Sequence, residues 1–201
     1  MKDLFAKAPE NKEFKIMPAG SHVARCYSIV DLWTQEKIYK QTGELKEVHV
    51  IRIAWEFPTE LTVFDDEKGE QPFILGEEYT LSLADKANLR NVLESWIGRP
   101  LNEDELHDGY NLRELVGKEC LIGIIHAKSK DGTKTYANIQ TIGQIPKGLV
   151  CPSQINPSQY FVIDTENFDH DDFWLLPEFV QKKIMDSKEY KSMDEAPEFL
   201  P

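Results

Sequence analysis

The chain has 201 residues, of which 35 are acidic and 23 are lysine or arginine, so its formal net charge is −12. This acidity argues against duplex-DNA binding driven by bulk charge, although a local basic surface is compatible with it. An apolar fraction of 41%, with ten phenylalanines, seven tyrosines and four tryptophans, excludes disorder over most of the length.

The N-terminal segment, residues 1–19, is polar and is expected to be flexible. It lacks the apolar core of a secretion signal, and no apolar run reaches the roughly 18 residues of a membrane span. The three cysteines are far apart and odd in number, which favours free thiols over a disulfide framework or a zinc site. We therefore expect a cytoplasmic protein without membrane contact.

Three strands are predicted in the first part of the chain, at residues 21–32, 47–57 and 71–83. The first follows Pro18 and Gly20, and residues 33–46 form a polar connector to the second. Apolar and polar residues largely alternate along the second strand, which predicts one buried face. The apolar residues of that face are Ile51, Ile53, Trp55 and Phe57.

The hydrophobic period then changes from that of a strand to that of a helix. Five apolar residues have the spacing of one helical stripe: Leu89, Val92, Leu93, Trp96 and Ile97. Ser82 and Asp85 form a capping-box pattern before this stripe, and Gly98 ends it. Residues 111–117 predict a short helical turn.

Two further strands are predicted at residues 119–127 and 135–142, and Asp131-Gly132 between them is a strong hairpin signal. The resulting order, β-β-β-α-β-β, is that of a five-stranded OB-fold barrel, in which the helix lies between strands three and four. A ferredoxin-like order would need a helix between the first two strands, and a β-sandwich would need more strands. We assign the OB-fold domain to residues 20–146.

The last part of the chain is predicted to be an extension of this domain. Residues 147–190 form a proline-rich linker and one helix over 173–190, with Pro177 near its start. In that helix Val180 and Ile184 share one side. An acidic tail follows at residues 191–201.

The predicted hairpin after residue 127 combines positive charge with an aromatic side chain. Lys128, Lys130 and Lys134 surround its turn, and strand alternation places Tyr136 on the outer, polar face. Such a surface suits single-stranded nucleic acid, because bases stack on the ring while lysines contact phosphates. A solvated hairpin tip with a surface tyrosine is the simpler alternative.

The connector between the first two strands also combines lysines with aromatic residues. In OB folds this loop and the loop between strands four and five flank the binding face, so their shared composition favours nucleic-acid binding. Arg25 and Arg52 on the adjoining strands either line the same groove or pair with Glu47 and Glu56. The candidate nucleic-acid-binding residues are Arg25, Trp33, Lys37, Tyr39, Lys40, Arg52, Lys128, Lys130, Lys134 and Tyr136.

Catalytic and metal-binding signals are weak. There is no P-loop, GxSxG, HExxH or CxxC motif, and the five histidines are scattered. The acidic stretch 164–172 lacks the glycine and the terminal glutamate of an EF-hand loop. We therefore expect neither an enzyme nor a protein with a cofactor or a metal site.

Three segments give a resemblance to a known group of proteins: "GSHVARCYSIVDLWTQ", "YTLSLADKANLRNVLESWIG" and "LIGIIHAKSKDGTKTYANIQTIGQIPKG". Over roughly residues 18–150 the chain resembles bacteriophage single-stranded DNA-binding proteins with an OB fold. The resemblance implies base stacking, phosphate contacts, and an acidic tail that recruits replication or recombination proteins. The implied partner-binding residues are Asp194, Glu195, Glu198 and Phe199. Tails of this kind often end on an aromatic residue, whereas here Pro201 is last.

The sequence thus predicts a sequence-tolerant single-stranded DNA-binding protein of replication or recombination, located in the host cytoplasm if phage-encoded. The alternative is an acidic protein-interaction module, or a DNA mimic that inhibits a DNA-binding partner. The sequence leaves the oligomeric state open.

Overall fold

The computed structural model of the protein describes residues 15–38, 43–164 and 168–194, and the fold is mainly β with several short helices. The strands are β1 (Gly20–Ile38), β2 (Leu45–Asp65), β3 (Gly69–Thr80), β4 (Glu119–Lys128), β5 (Thr135–Gly143) and β6 (Gln159–Phe161). The helices are α1 (Asn88–Ile97), α2 (Glu103–His107), a 3-10 helix (Leu112–Leu115), α3 (His170–Trp174), α4 (Glu178–Met185) and α5 (Lys188–Asp194).

Five strands form a strongly curled antiparallel sheet in the order β3-β2-β1-β4-β5, a half-barrel that stays open between its two outer strands. The predicted order of three strands, a helix and two strands is confirmed. The short strand β6 was not predicted, and it pairs in parallel with β1.

The long strand β1 organises the sheet, because its two halves have different neighbours. Its first half pairs with β4, from Gly20 opposite Ile124 to Arg25 opposite Glu119. Its second half pairs with β6 at residues 28–30. β2 accompanies both halves, from residue 25 to residue 38 of β1. The predicted first connector is therefore partly strand, since β1 continues to Ile38 and β2 begins at Leu45.

The main core fills the concave side of the sheet. The four alternating apolar residues of β2 are all buried there, as predicted, together with Leu89, Leu93 and Trp96 of α1. α1 is attached to the sheet by two hydrogen bonds, from Ser95 Oγ to the Ile142 carbonyl and from the Trp96 indole to the Glu119 carbonyl. The helix therefore lies at the end of the sheet where β4 begins and β5 ends.

The capping box predicted for α1 is wrong. The helix starts after Ala87, which makes no side-chain cap, while Ser82 accepts a hydrogen bond from the Ala84 amide in the preceding turn. Asp85 instead pairs with Arg90. The predicted stop is confirmed, since Gly98 caps the helix at φ 74°.

A second core lies on the opposite face of the sheet and is built by the C-terminal extension. Its buried members are Val30, Leu32, Trp33, Val50, Phe161, Ile163, Phe173, Leu176, Val180 and Ile184. The predicted single helix over 173–190 is divided into parts of α3, α4 and α5, because the chain is non-helical at residues 175–177 and again at residues 186–187. Val180 and Ile184 share the buried side of α4, as expected. The extension is thus packed onto the sheet over much of its length.

A buried carboxylate also holds the start of this extension. Glu56 of β2 is fully buried and accepts three hydrogen bonds, from the Ile155 amide, the Asn156 amide at 3.0 Å and the Asn156 side chain at 2.7 Å. Buried carboxylates require such donors, because an unpaired charge in a protein interior is costly. Met17 is buried in the main core, so part of the segment expected to be flexible is packed.

No helix within the described ranges is long and apolar enough to cross a membrane.

Candidate nucleic-acid interface

The β4–β5 hairpin extends beyond the start of β1 as a two-stranded arm. β4 pairs with β1 only as far as Ile124, which lies opposite Gly20, whereas β4 and β5 remain paired to Lys128 and Thr135. Residues 125–138, named the basic arm, carry three lysines and one aspartate. The arm therefore has a net charge of +2 in a chain whose total is −12.

Hydrogen bonds fix the turn of the basic arm. Asp131 accepts from the Ser129 hydroxyl and from the Thr133 amide, and Ser129 accepts from the Lys134 amide. The side-chain hydrogen bond from Ser129 is the main cause that lowers the pKa of Asp131 to about 2. Gly132 has φ 73°, a left-handed conformation that glycine adopts without strain, in agreement with the predicted Asp-Gly turn. The backbone that carries the lysines is thus well supported.

The positive charge of the basic arm is carried by three lysines at its tip. Lys128, Lys130 and Lys134 are all exposed, and none forms an ion pair within the described part of the chain. No carboxylate of residues 15–38, 43–164 or 168–194 neutralises their charges. They are therefore available to an external anion such as a phosphate.

Tyr136 is 45% exposed and lies on the outer face of the arm. It is opposite Ala127, and Asn138 on the same face is opposite Ile125. Ala137 and Ile139 point the other way and pack against the main core, so the predicted faces are confirmed. The ring is accessible for stacking on the same arm as the lysines.

A cleft of about 460 Å³ lies beside this ring. It is lined by Ile16, Thr133, Lys134, Thr135 and Tyr136. Its volume falls in the range of ordinary ligand sites, roughly 300–1,000 Å³.

Two residues of this surface were not among the candidates. Ile16 lies before β1 and lines the cleft, and no sequence pattern connects it to residues 133–136. Ile125 is 41% exposed on the outer face of β4. The alternation of β4 contained a usable signal, because it places Ile125 on the face opposite to the buried Ile122 and Ile124.

In the β1–β2 hairpin, Trp33 was expected to be exposed for nucleic-acid binding, but it is buried. Trp33 is only 4% exposed and packs in the second core, with its ring 6.0 Å from that of Phe168. It occupies a β-bulge at φ 56°, where its amide donates to Asp31. The assignment of Trp33 as a stacking platform is therefore wrong, because the C-terminal extension covers the ring.

The lysines expected in this hairpin are described only in part. Lys37 lies near the end of β1, directly opposite Lys46 of β2. Tyr39 and Lys40 lie outside the described residues. The hairpin is at one end of β1, and the basic arm is at the other, so the two loops are not neighbours along this strand.

Arg25 has protein partners for its whole guanidinium group. It donates to the carbonyls of Gly117, Cys151 and Pro152, and it pairs with Glu119 at 3.3 Å. The expected protein partners were Glu47 and Glu56, and the guanidinium pairs with neither of them. Arg25 instead connects the C-terminal extension to the sheet.

Arg52 is also drawn into the structure. Its guanidinium lies against Gly76, where even a Cβ atom would clash, and 5.0 Å from the centre of the Phe179 ring. Burial lowers the pKa of Arg52, and the nearby Glu78 and Glu77 oppose this effect. The residue is therefore held between β3 and α4 and does not lie on the basic arm.

The acidic tail lies almost entirely beyond the described residues. Asp194 is the last residue of α5, and Glu195, Glu198 and Phe199 lie outside the described ranges. Within those ranges no cluster of three or more histidine, cysteine, aspartate or glutamate residues is arranged to hold a metal ion.

No protein-family model matches this chain, and no curated protein matches it in sequence.

Proposed function

We propose that this protein binds single-stranded DNA without sequence preference, in replication or recombination in the cytoplasm of a phage-infected cell. The observation that carries the proposal is the basic arm, where three exposed lysines accompany an outward-facing tyrosine. Single-stranded nucleic acid offers both of the groups that this surface fits, a flexible line of phosphates and unpaired bases with exposed π-faces.

The fold supports the same proposal. A curled five-stranded sheet with α1 between β3 and β4 is consistent with an OB-type barrel, a common scaffold for oligonucleotides. In such barrels the loop between the fourth and fifth strands lies beside the bound strand, and here that loop is the tip of the basic arm. The resemblance of three sequence segments to phage single-stranded DNA-binding proteins leads to the same expectation.

In the proposed mechanism one base stacks on Tyr136 and the phosphates on either side contact Lys128, Lys130 and Lys134. A stacked base contributes roughly 1–3 kcal/mol. Ile125 on the same face would pack against the sugar or a neighbouring base. None of these contacts reads a base edge, so the binding is tolerant of sequence. The acidic tail would recruit replication or recombination proteins.

The test is a titration of fluorescent oligo-dT, followed by anisotropy. We expect wild-type protein to bind, and the triple change of Lys128, Lys130 and Lys134 to alanine to weaken binding strongly. The matched control changes three exposed lysines elsewhere to alanine: Lys86, Lys118 and Lys147. Both variants have the same net charge. Equal losses in the two variants would mean that only total charge matters, and the proposed site would be rejected.

The second candidate function is a DNA mimic or acidic interaction module. It is favoured by the net charge of −12 and by the acidic β2–β3 hairpin, which exposes apolar side chains. Under this alternative oligo-dT does not bind, and the protein instead inhibits a DNA-binding partner. A titration of the wild type with oligo-dT at low salt separates the two candidate functions, because only the first predicts binding.

A further inference from the structure

A second arm projects beside the basic arm. β2 pairs with β1 only as far as Glu56, opposite Arg25, but remains paired with β3 as far as Asp65. Residues 61–72, named the acidic arm, carry four acidic side chains and one lysine, a net charge of −3. The two arms leave the sheet on either side of the start of β1, roughly 10 Å apart at their bases given the spacing of neighbouring strands.

The acidic arm also exposes apolar side chains. Leu61, Val63 and Phe64 are 43%, 40% and 45% exposed, and Phe64 rests against Phe73. The basic arm exposes Ile125 and Tyr136 to a similar extent. Each arm therefore combines an apolar patch with charge, and the charges have opposite sign. Within the described residues no ion pair joins the two arms of one molecule.

We propose that two copies of this chain form a two-fold symmetric dimer, in which the acidic arm of each copy docks on the basic arm of the other. Because both arms project from the same end of the sheet, one two-fold rotation makes both contacts at once. Such a contact is closed and limits the assembly to a dimer. Opposite charges guide the pairing and the apolar patches are covered by it. Each arm is a short hairpin tip, so the contact is small, and small contacts are typical of weak, reversible interfaces.

The dimer has a consequence for DNA binding, and this part rests on the proposed function. Lys128, Lys130 and Lys134 cannot contact carboxylates of a second copy and phosphates of DNA at the same time. Single-stranded DNA and the second copy therefore compete for the basic arm. The free protein would be held as a dimer whose DNA site is covered, and DNA would release the monomers.

The test is sedimentation equilibrium of the full chain without DNA, at about 0.15 M ionic strength, where charges interact only over about 8 Å. One variant reverses the acidic arm with Asp66→Lys, Glu67→Lys and Glu70→Lys. A second reverses the basic arm with Lys128→Glu, Lys130→Glu and Lys134→Glu. A third carries both sets. Asp65 and Asp131 are kept, because each accepts a backbone hydrogen bond in its own turn.

We expect reversible dimers for the wild type, at least roughly tenfold weaker dimerisation for either single-arm reversal, and recovery to within about threefold when both arms are reversed. The acidic-arm reversal separates this proposal from a general charge effect. Three charges change sign, so its net charge moves from −12 to −6, and weaker overall repulsion would strengthen association. Docking between the arms predicts the opposite. The control, Glu103→Lys, Asp104→Lys and Glu114→Lys, has the same net charge and should dimerise at least as well as the wild type.

A wild type that stays monomeric at all concentrations, or a double reversal that fails to recover, would overturn the proposed dimer. Circular dichroism of each variant checks that these exposed substitutions leave the fold intact. Oligo-dT is then added to the wild-type dimer, and we expect dissociation. If oligo-dT does not bind, the proposed function fails while the dimer result stands. If it binds and the dimer persists, the two-arm contact is rejected and DNA binding stands.

Discussion

The β1–β2 hairpin and the basic arm are similar in composition but differ in the exposure of the aromatic residues Trp33 and Tyr136. Both combine lysines with an aromatic residue, Trp33 in one and Tyr136 in the other. Trp33 is 4% exposed and Tyr136 is 45% exposed. The difference arises outside the hairpins, because the C-terminal extension supplies apolar partners for Trp33, whereas Tyr136 remains on an open face. Local composition identifies a possible binding surface, but distant segments decide whether it is accessible.

The largest expected effect concerns Trp33. Trp33→Ala removes a buried indole from the second core and should destabilise the protein by roughly 3–5 kcal/mol. Denaturant unfolding measures this loss. Oligo-dT affinity, corrected for the folded fraction, should be unchanged. A variant that unfolds like the wild type but binds DNA more weakly would show that Trp33 acts at the interface, and the comparison would fail.

The next effect concerns Tyr136, where we expect a change in DNA binding and little change in stability. Tyr136→Ala should weaken oligo-dT binding by roughly 1–3 kcal/mol, because a stacking surface is lost. The stability of the fold should change little, since the side chain is half exposed. Tyr136→Phe is the control, because it keeps the ring and should bind nearly as the wild type does. Loss of binding in the phenylalanine variant would implicate the hydroxyl and argue against stacking.

A smaller effect compares a lysine of the basic arm with a lysine of the β1–β2 hairpin. If Lys130 contacts one phosphate, Lys130→Ala should make the slope of log K against log salt shallower by about 0.7. Lys37→Ala should leave the slope unchanged if only the basic arm holds DNA. Equal changes in the two variants would mean that the bound strand reaches both hairpins, which would extend the site along β1.

The smallest effect concerns pH and the packing of α5 against the β1–β2 hairpin. His49 bonds to Asp31 at 2.6 Å, and this hydrogen bond raises the pKa of His49. Glu189 of α5, which accepts from Thr34, is a further negative group nearby. Because the folded-state pKa is raised, the stabilisation is complete below the unfolded value of about 6.5 and is lost as pH rises through the folded pKa.

His49 is partly exposed, so we expect a contribution below about 1 kcal/mol. The measurement is denaturant unfolding of the wild type and of His49→Gln at pH 5.5 and pH 8, which bracket the unperturbed pKa of about 6.5. The difference in unfolding free energy between the two proteins gives the contribution of His49 at each pH. The gap between the two proteins should be larger at the lower pH. A gap that grows with pH would mean that the neutral ring is the form that the fold prefers.

Local patterns were sufficient for most of the sheet and for the faces of its strands. The alternation of β2 identified Ile53 and Trp55 as core, and the Asp131-Gly132 turn located the basic arm. The same patterns could not foresee that Arg25 would bind carbonyls 126 and 127 positions away. They also missed the second core, because its members come from β1, β2, β6 and the C-terminal helices and meet only in three dimensions.

The buried position of Glu56 has a consequence for the order in which the chain is made. A ribosome completes β1, β2 and β3 long before it reaches Asn156, which lies 100 positions after Glu56 and supplies two of its hydrogen bonds. Until then the Glu56 carboxylate must stay in contact with water, so this part of β2 remains exposed to solvent. A chain ended after β5 would lack these donors and the covering of the second core. Shortened versions of the protein should therefore retain residues to at least the end of α4.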